Sequence, residues 1–479
     1  MVMSEIELDE IKVESPSSIT KPSEKKLTLV PLIFLIFFEV SGGPFGEEPA
    51  VKAAGPLFAL LGFLIFPFIW SMPEALITAE LATAYPGNGG FVIWASEAFG
   101  PFWGSMMGSL KFLSGSLNNA AYPVMMVDYL RDEKILFFQS RPHRRLIVCI
   151  ATIALSFVNY MGLSVVGWFA VGLGLVSLIP FIIMFFMAIP RIKWSRIVSF
   201  GKNGHNFRNN DWPKFFNTLF WNLNFWDNAS TLAGEVENPQ KIFPRALFSA
   251  GIMTCLGYLI PLIAITGALE FDQDSLIVGY LATAAGMIGG TWLMWWVKVG
   301  SILSSVGLFE AQLSSSSFQT EGMANLRFLP DFFAWRAKKF NTPWAGILLS
   351  SAISFGITFL DFDNIISAAN FLYGLGMLLE FSSFIRLRLK HPDLFRPYKV
   401  PFGVPALCIM CLVPAAFVVY VMVIMVMDKH VVFYISAGLT VIAICNYFLM
   451  NYCKSKGCIK FSATENDEQT VKKVSSGQQ

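Results

Sequence analysis

Residues 27–49 read LTLVPLIFLIFFEVSGGPFGEEP. Val30 to Phe38 is almost unbroken Leu, Ile, Phe and Val, which is how a membrane helix begins. At membrane depth the pattern fails. Glu39 is ionisable, and Gly42, Gly43, Pro44 and Gly46 cannot hold a regular helix, because glycine is entropically costly there and proline lacks a donor N–H. Glu47 and Glu48 follow at once. A charge at a bilayer centre costs roughly 2.5–3.5 kcal/mol on insertion scales, so such residues face a cavity, a partner or a substrate. A helix broken inside a membrane survives only where protein or water satisfies the freed backbone groups. The stretch therefore predicts a transporter's midplane site.

Composition agrees. Of 479 residues, 54% are hydrophobic and 14% charged, against about 25% charged in a soluble domain. The apolar runs predict an all-α polytopic membrane protein of twelve spans, lying in a lipid bilayer. The expected boundaries are 27–51, 55–82, 101–129, 146–161, 165–189, 213–234, 243–269, 277–318, 343–360, 364–387, 404–427 and 431–452. The eighth is too long for one span and predicts a surface helix ahead of it. Polar, disordered tails are expected at 1–26 and 453–479. An even count puts both termini on one side, and the side holding them collects 20 basic residues against 13 opposite. That bias places the termini in the cytoplasm, although the loops 131–145 and 191–214 are basic against the rule.

A second span is interrupted too. Residues 213–240 read PKFFNTLFWNLNFWDNASTLAGEVENPQ, crowding Trp221, Asn222, Asn224, Trp226, Asp227, Asn228 and Ser230 into an apolar frame. Asn and Asp compete with helical backbone bonding, which predicts unwinding there. Two interrupted spans, five apart, point to a pair of repeats in inverted orientation. Lys111 and Lys298 also fall inside spans, where a lysine can stand in for a cation or neutralise a carboxylate such as Glu310.

The chemistry of enzymes finds no footing. The four histidines lie in loops or at span ends without metal-ligand spacing, and no P-loop glycine motif occurs, so no metal, cofactor or nucleotide-driven pump is expected. The seven cysteines show no disulfide framework. A net charge of +2 carries no nucleic-acid signature, and nothing indicates an oligomeric state.

Three motifs in order carry a resemblance. AELATAYPGNGGFVIWASEAFG (79–100), GEVENPQKIFPRAL (234–247) and RLRLKHPDLFRPYKVP (386–401) resemble loops after the second, sixth and tenth helices of the amino acid–polyamine–organocation superfamily. FEVSGGPFGEEPAV and NFWDNASTLAGEVENP are most similar to its plant polyamine uptake transporters, a branch also associated with paraquat. The resemblance implies a five-plus-five inverted-repeat core with broken helices 1 and 6, here residues 27–390. It also implies two extra helices within 391–452, and polyamine uptake driven by a proton gradient across, by default, the plasma membrane, with Golgi and endoplasmic reticulum as alternatives.

Amino acid transporters of this fold point a half-helix N-terminus at the substrate carboxylate. Glu47 and Glu48 would occupy or repel that carboxylate, which suits a ligand made only of ammonium groups; a proton-coupled transporter of cationic or neutral amino acids and a non-transporting polyamine receptor are the alternatives. On this reading Glu39, Asp227 and one of Glu47 and Glu48 take separate amines of putrescine, spermidine or spermine. Gly42, Gly43 and Gly46 supply open backbone. Trp221, with Asn224 on its face one turn on, lines the chain, and Asn118, Tyr122 and Tyr373 approach from facing helices. Against this, Glu39 can bond freed backbone, Glu47 and Glu48 can cap the resuming helix, and Asp227 can hold the kink. Glu39 or Asp227 is the expected proton carrier, with a fixed ion pair as the alternative. Span five has no lysine, although this superfamily sometimes carries one there.

Overall fold

The computed structural model describes residues 27–131, 141–202, 204, 207–357, 362–428 and 430–462. The expected tail at 1–26 and most of that at 453–479 lie outside the described residues.

The interrupted first span is two helices, α1 (Leu29–Val40) and α2 (Glu48–Ala54). Gly42 and Gly46 both have positive φ, 64° and 96°, the region an L side chain resists. Each also lets a neighbour close in. A Cβ on Gly42 would lie 2.8 Å from Leu308 Cγ and Ser304 Oγ, and one on Gly46 2.8 Å from the Trp221 ring. The second span is α3 (Pro56–Phe66) and α4 (Met72–Ala84), joined through a wide π turn at Pro67–Ser71. Prolines at 67 and 73 remove donors there, and widened turns of this kind frequently mark functional sites.

The stretch 79–100, expected as a loop, is largely helical: it contains the end of α4 and all of α5 (Phe91–Phe99). Then come α6 (Pro101–Arg131), α7 (Arg141–Tyr160) and α8 (Leu163–Ala188). The sixth span is broken as predicted. Helix α9 (Trp212–Leu223) stops at Asn224, and the chain resumes as a 3₁₀ segment, Trp226–Glu235. Phe225 between them sits in the left-handed region with φ 71°. Next come α10 (Pro239–Ala268), then α11 (Tyr280–Gly289), the short helix expected before the eighth span, and α12 (Thr291–Asn325). The chain finishes with α13 (Trp344–Ile357), α14 (Phe362–Lys390), α15 (Val404–Asp428) and α16 (His430–Lys456).

Helix α16 runs past the expected boundary at 452, and the residues just beyond its end dock. Lys460 O accepts from the Asp331 amide at 3.0 Å, and the Ser462 hydroxyl is 3.0 Å from Asp331 Oδ1. The start of the expected disordered tail is therefore held by hydrogen bonds.

Among the described residues seven helices are long and apolar enough to cross a membrane. With the site's broken segments between them, this is a multi-pass membrane protein. Helix α14 is central and mostly buried, whereas α15 and α16 are mostly exposed and lie at the periphery. The 35-residue α12 is fully packed on its serine-rich length: Ser301, Ser304, Ser305, Gln312 and Ser314 to Ser317 are all buried. A buried polar face is costly unless it meets polar partners: Ser304 and Gln312 turn to the first break, Asn159 donates to Ser314, and Ser301, Ser305, Ser315 and Ser317 donate to carbonyls of their own helix.

Close packing at the far end of α12 generates a test. A Cβ on Gly322 would lie 2.3 Å from the Gly89 nitrogen, whereas one on Gly172 meets nothing within 4 Å. Backbone cannot give way as a side chain can, so Gly322→Ala costs roughly 1–3 kcal/mol. Thermal melting of the detergent-purified protein is expected to fall for Gly322→Ala and not for Gly172→Ala. Equal melting would mean that the Asn88–Gly89 turn does not rest on α12.

Candidate functional site

The freed backbone of the first break is satisfied from outside α1. Ser304 donates to the Gly42 carbonyl, Gln312 Nε2 to the Glu39 carbonyl at 3.2 Å, and Asn222 Nδ2 to the Gly46 carbonyl at 3.2 Å. The second break is held in the same way. The Leu223 carbonyl accepts from Ser71 Oγ at 3.0 Å and Trp226 Nε1 at 2.9 Å, and the Asn222 carbonyl from the Tyr258 hydroxyl at 2.9 Å. The Phe225 amide donates to Tyr373 Oη at 2.9 Å.

The two neighbouring carboxylates of the first break have different environments. Glu48 reaches back to the Gly46 amide and across to the Gly279 amide, each at 3.0 Å, so it caps backbone. Glu47 is fully buried, and neither of its oxygens has a hydrogen-bond partner. Glu39 takes one bond, from Asn228 Nδ2 at 3.1 Å to its Oε2, while Oε1 has none.

A hydrogen-bonded chain joins the residues expected on facing helices. Trp221 Nε1 donates to Asn118 Oδ1 at 2.9 Å; Asn118 Nδ2 donates to Tyr122 Oη at 2.7 Å and to Gln312 Oε1 at 3.2 Å. Gln312 in turn holds the Glu39 carbonyl. Asn224 does not share Trp221's face. The helix ends at Leu223, so helical spacing does not carry across the break, and Asn224 Nδ2 turns to Asn370 Oδ1 on α14 at 3.2 Å.

Asp227 lies in a second cluster. Its Oδ2 is 2.5 Å from Lys111 Nζ, and Oδ1 accepts from Tyr373 Oη at 2.7 Å. Lys111 also lies 3.8 Å from Glu380 Oε2 and 3.6 Å from the centroid of the Tyr373 ring. Glu74 completes the group: its Oε1 accepts the amides of Trp226 at 2.8 Å and Asp227 at 3.3 Å and touches the Tyr373 hydroxyl. A carboxylate at the first turn of the 3₁₀ segment meets unpaired N–H groups and the positive end of its dipole.

Among the described residues no lysine pairs with Glu310. Lys111 pairs with Asp227, and Lys298 stands 5.1 Å from the Trp295 ring. Glu310 instead accepts from Asn159 Nδ2 at 3.1 Å on α7. Glu74 and Glu380 escaped the sequence reading, although both are carboxylates within apolar runs, the signal that singled out Glu39.

The three loop motifs converge at one end of the site. Glu80 sits between Arg388 and Arg396 and accepts the Val400 amide at 2.8 Å. Asn88 accepts from the Gly234 amide at 3.1 Å and donates to Glu235 at 3.0 Å. Arg336 bridges Glu235 and Glu321. Burial alone would lower the Arg336 guanidinium, but those two carboxylates outweigh it and hold it above the usual arginine range. Leu27 pairs with this end, donating to the Glu235 carbonyl at 3.2 Å.

The contrast between Glu48 and Glu47 is measurable. Glu48→Ala strands the buried Gly46 amide, at roughly 1–3 kcal/mol, and the part-buried Gly279 amide, and is expected to lower the melting temperature clearly. Glu47→Ala breaks no hydrogen bond and is expected to leave it unchanged or raised. The reverse order would mean that Glu47, not Glu48, supports the resuming helix.

Comparison with known proteins agrees with this arrangement. The family model described as amino acid permease matches residues 27–448. The polyamine transporter RMV1 of Arabidopsis thaliana is 46% identical, over 92% of this chain and 89% of its own. The polyamine transporter PUT1 of Oryza sativa subsp. japonica is 45% identical, over 92% of this chain and 81% of its own. With its two broken spans and three converging loop motifs, the chain belongs to the amino acid permease family.

Proposed function

We propose that the chain is a secondary active importer of polyamines such as putrescine, spermidine and spermine, and of similar organic polycations, coupled to a proton gradient. The observation that carries the substrate class is Glu47, a buried carboxylate at the broken helix with both oxygens unpartnered, and Glu39 Oε1 likewise. An unpartnered buried acceptor costs its full desolvation unless a donor reaches it. A ligand with two or more ammonium groups supplies such donors, whereas an amino acid would bring a carboxylate to a site already rich in them. The names of RMV1 and PUT1 support the same substrate class.

On this reading the architecture is twelve spans in a five-plus-five inverted repeat over 27–390, with two peripheral helices after it. The α1/α2 and α9 breaks form the midplane site, both termini are cytoplasmic, and the plasma membrane is the site of action. Glu39 and Glu47 receive amines, and Trp221, Asn118 and Tyr122 line the approach. The coupling proton is carried by a site carboxylate.

The test is uptake of radiolabelled spermidine into proteoliposomes with and without an inward proton gradient. Accumulation is expected to rise with the gradient and to be competed by putrescine but not by lysine or arginine. A lost hydrogen bond to a charged group is worth about 1.5–3 kcal/mol, so Glu39→Gln and Glu47→Gln are each expected to raise KM roughly tenfold or more. Accumulation of an amino acid with no response to spermidine would leave the family and remove the substrate class.

A further inference from the structure

The Tyr373 hydroxyl faces two carboxylates. Glu74 Oε1 lies in close contact on one side, and Asp227 Oδ1 lies 2.7 Å away on the other. The same oxygen already accepts the Phe225 amide. A phenol carries one proton, so it can donate to only one of the two. The remaining O···O contact sets acceptor against acceptor unless a carboxyl group supplies a second proton. Tyr373 has one lone pair left to receive it.

Charge balance calls for at least one such proton as well. Glu74, Asp227 and Glu380 surround the single ammonium of Lys111, and all four are buried. Fully ionised, the cluster would hold two uncompensated negative charges away from water, and each such charge costs several kcal/mol. Neither oxygen of Glu380 receives a hydrogen bond, and Glu74 Oε2 is also without one. Carboxylates this close do not all ionise together.

We infer that Glu74, Tyr373 and Asp227 share one exchangeable proton, and that this is the proton coupled to transport. The inference rests on the proton-driven reading above and moves the coupling site away from Glu39. The proton passes between Asp227 Oδ1 and Glu74 Oε1 through Tyr373, whose hydroxyl gives up one proton as it takes another. Glu74 can hold negative charge because the Trp226 and Asp227 amides already point at it. Asp227 can hold it because Lys111 lies beside its other oxygen. The surrounding titratable groups are Lys111 on α6, Glu380 on α14, Cys411 on α15 facing Glu380, and Glu39 on α1 facing Asp227. Asn228, next in chain to Asp227, bonds Glu39, so the proton site and the amine site adjoin.

The experiment uses the full chain in proteoliposomes and compares gradient-driven spermidine uptake with spermidine counterflow, each across a pH series. Glu74→Gln takes away the exchangeable proton and the negative charge, while its side-chain oxygen can still accept the two amides. It is expected to retain counterflow, lose stimulation by the gradient and flatten the pH profile. Tyr373→Phe removes the bridging hydroxyl but keeps the ring over Lys111. Measured against its own counterflow, it is also expected to lose stimulation. If wild type shows no stimulation, the proton-driven reading fails and this inference with it. If wild type is stimulated and Glu74→Gln keeps that stimulation and the wild-type pH profile, the shared proton is overturned alone. Should Glu74→Gln not be recovered folded, stimulation retained by Tyr373→Phe overturns it instead.

Discussion

Broken helices inside a membrane leave backbone N–H and C=O groups that lipid cannot satisfy, and the rest of this structure depends on meeting that demand. The means is a set of polar side chains from helices that are otherwise apolar. Ser304 and Gln312 come from α12, Ser71 and Glu74 from the second span, Tyr258 from α10 and Tyr373 from α14. This accounts for Ser304 and Gln312 on the buried polar length of α12, and for Glu74 just beyond a widened, proline-flanked turn. These three are costly where they stand and are compensated by the breaks they serve.

The same demand sorts the carboxylates by role. Glu48 and Glu74 both sit where a helical segment resumes, and both spend their lone pairs on backbone amides. Glu47 and Glu380 make no hydrogen bond, and Glu39 makes one. Capping thus falls to Glu48 and not to its neighbour Glu47, a difference that composition alone cannot show. Lys111 adds a third arrangement. Its ammonium rests on the Tyr373 face beside Asp227, an acidic and aromatic setting of the kind an organic cation would find favourable.

The two ends of the site are closed by different interactions. At the motif end, buried ion pairs link Glu80 to Arg388 and Arg396, and Glu235 and Glu321 to Arg336. Removing one partner of such a pair costs about 3–5 kcal/mol. At the other end the half-buried Trp221 ring lies against Gly46, and its indole N–H is held by Asn118. The aromatic closure is the weaker of the two, because it rests on one neutral hydrogen bond and ring packing.

Local chemistry made much of this legible in the sequence. The glycines and proline at 42–46 announced the first break, and the Asn-rich 222–228 stretch announced the second, because both act within a few residues of themselves. The three loop motifs were visible by their resemblance to known loops, though not that Glu80 of the first would clasp two arginines of the third. Charge partnerships were not legible. Lys111 meets Asp227 across 116 residues, and Glu74 meets Tyr373 across 299. Helical spacing misled at Asn224, since a face defined on α9 ends where α9 ends. An intramembrane carboxylate can be flagged from sequence by its cost, but whether it caps, pairs or waits for a ligand depends on what the other spans bring to it. Glu39, Glu74 and Glu380 look alike in their apolar runs, and only packing distinguishes them.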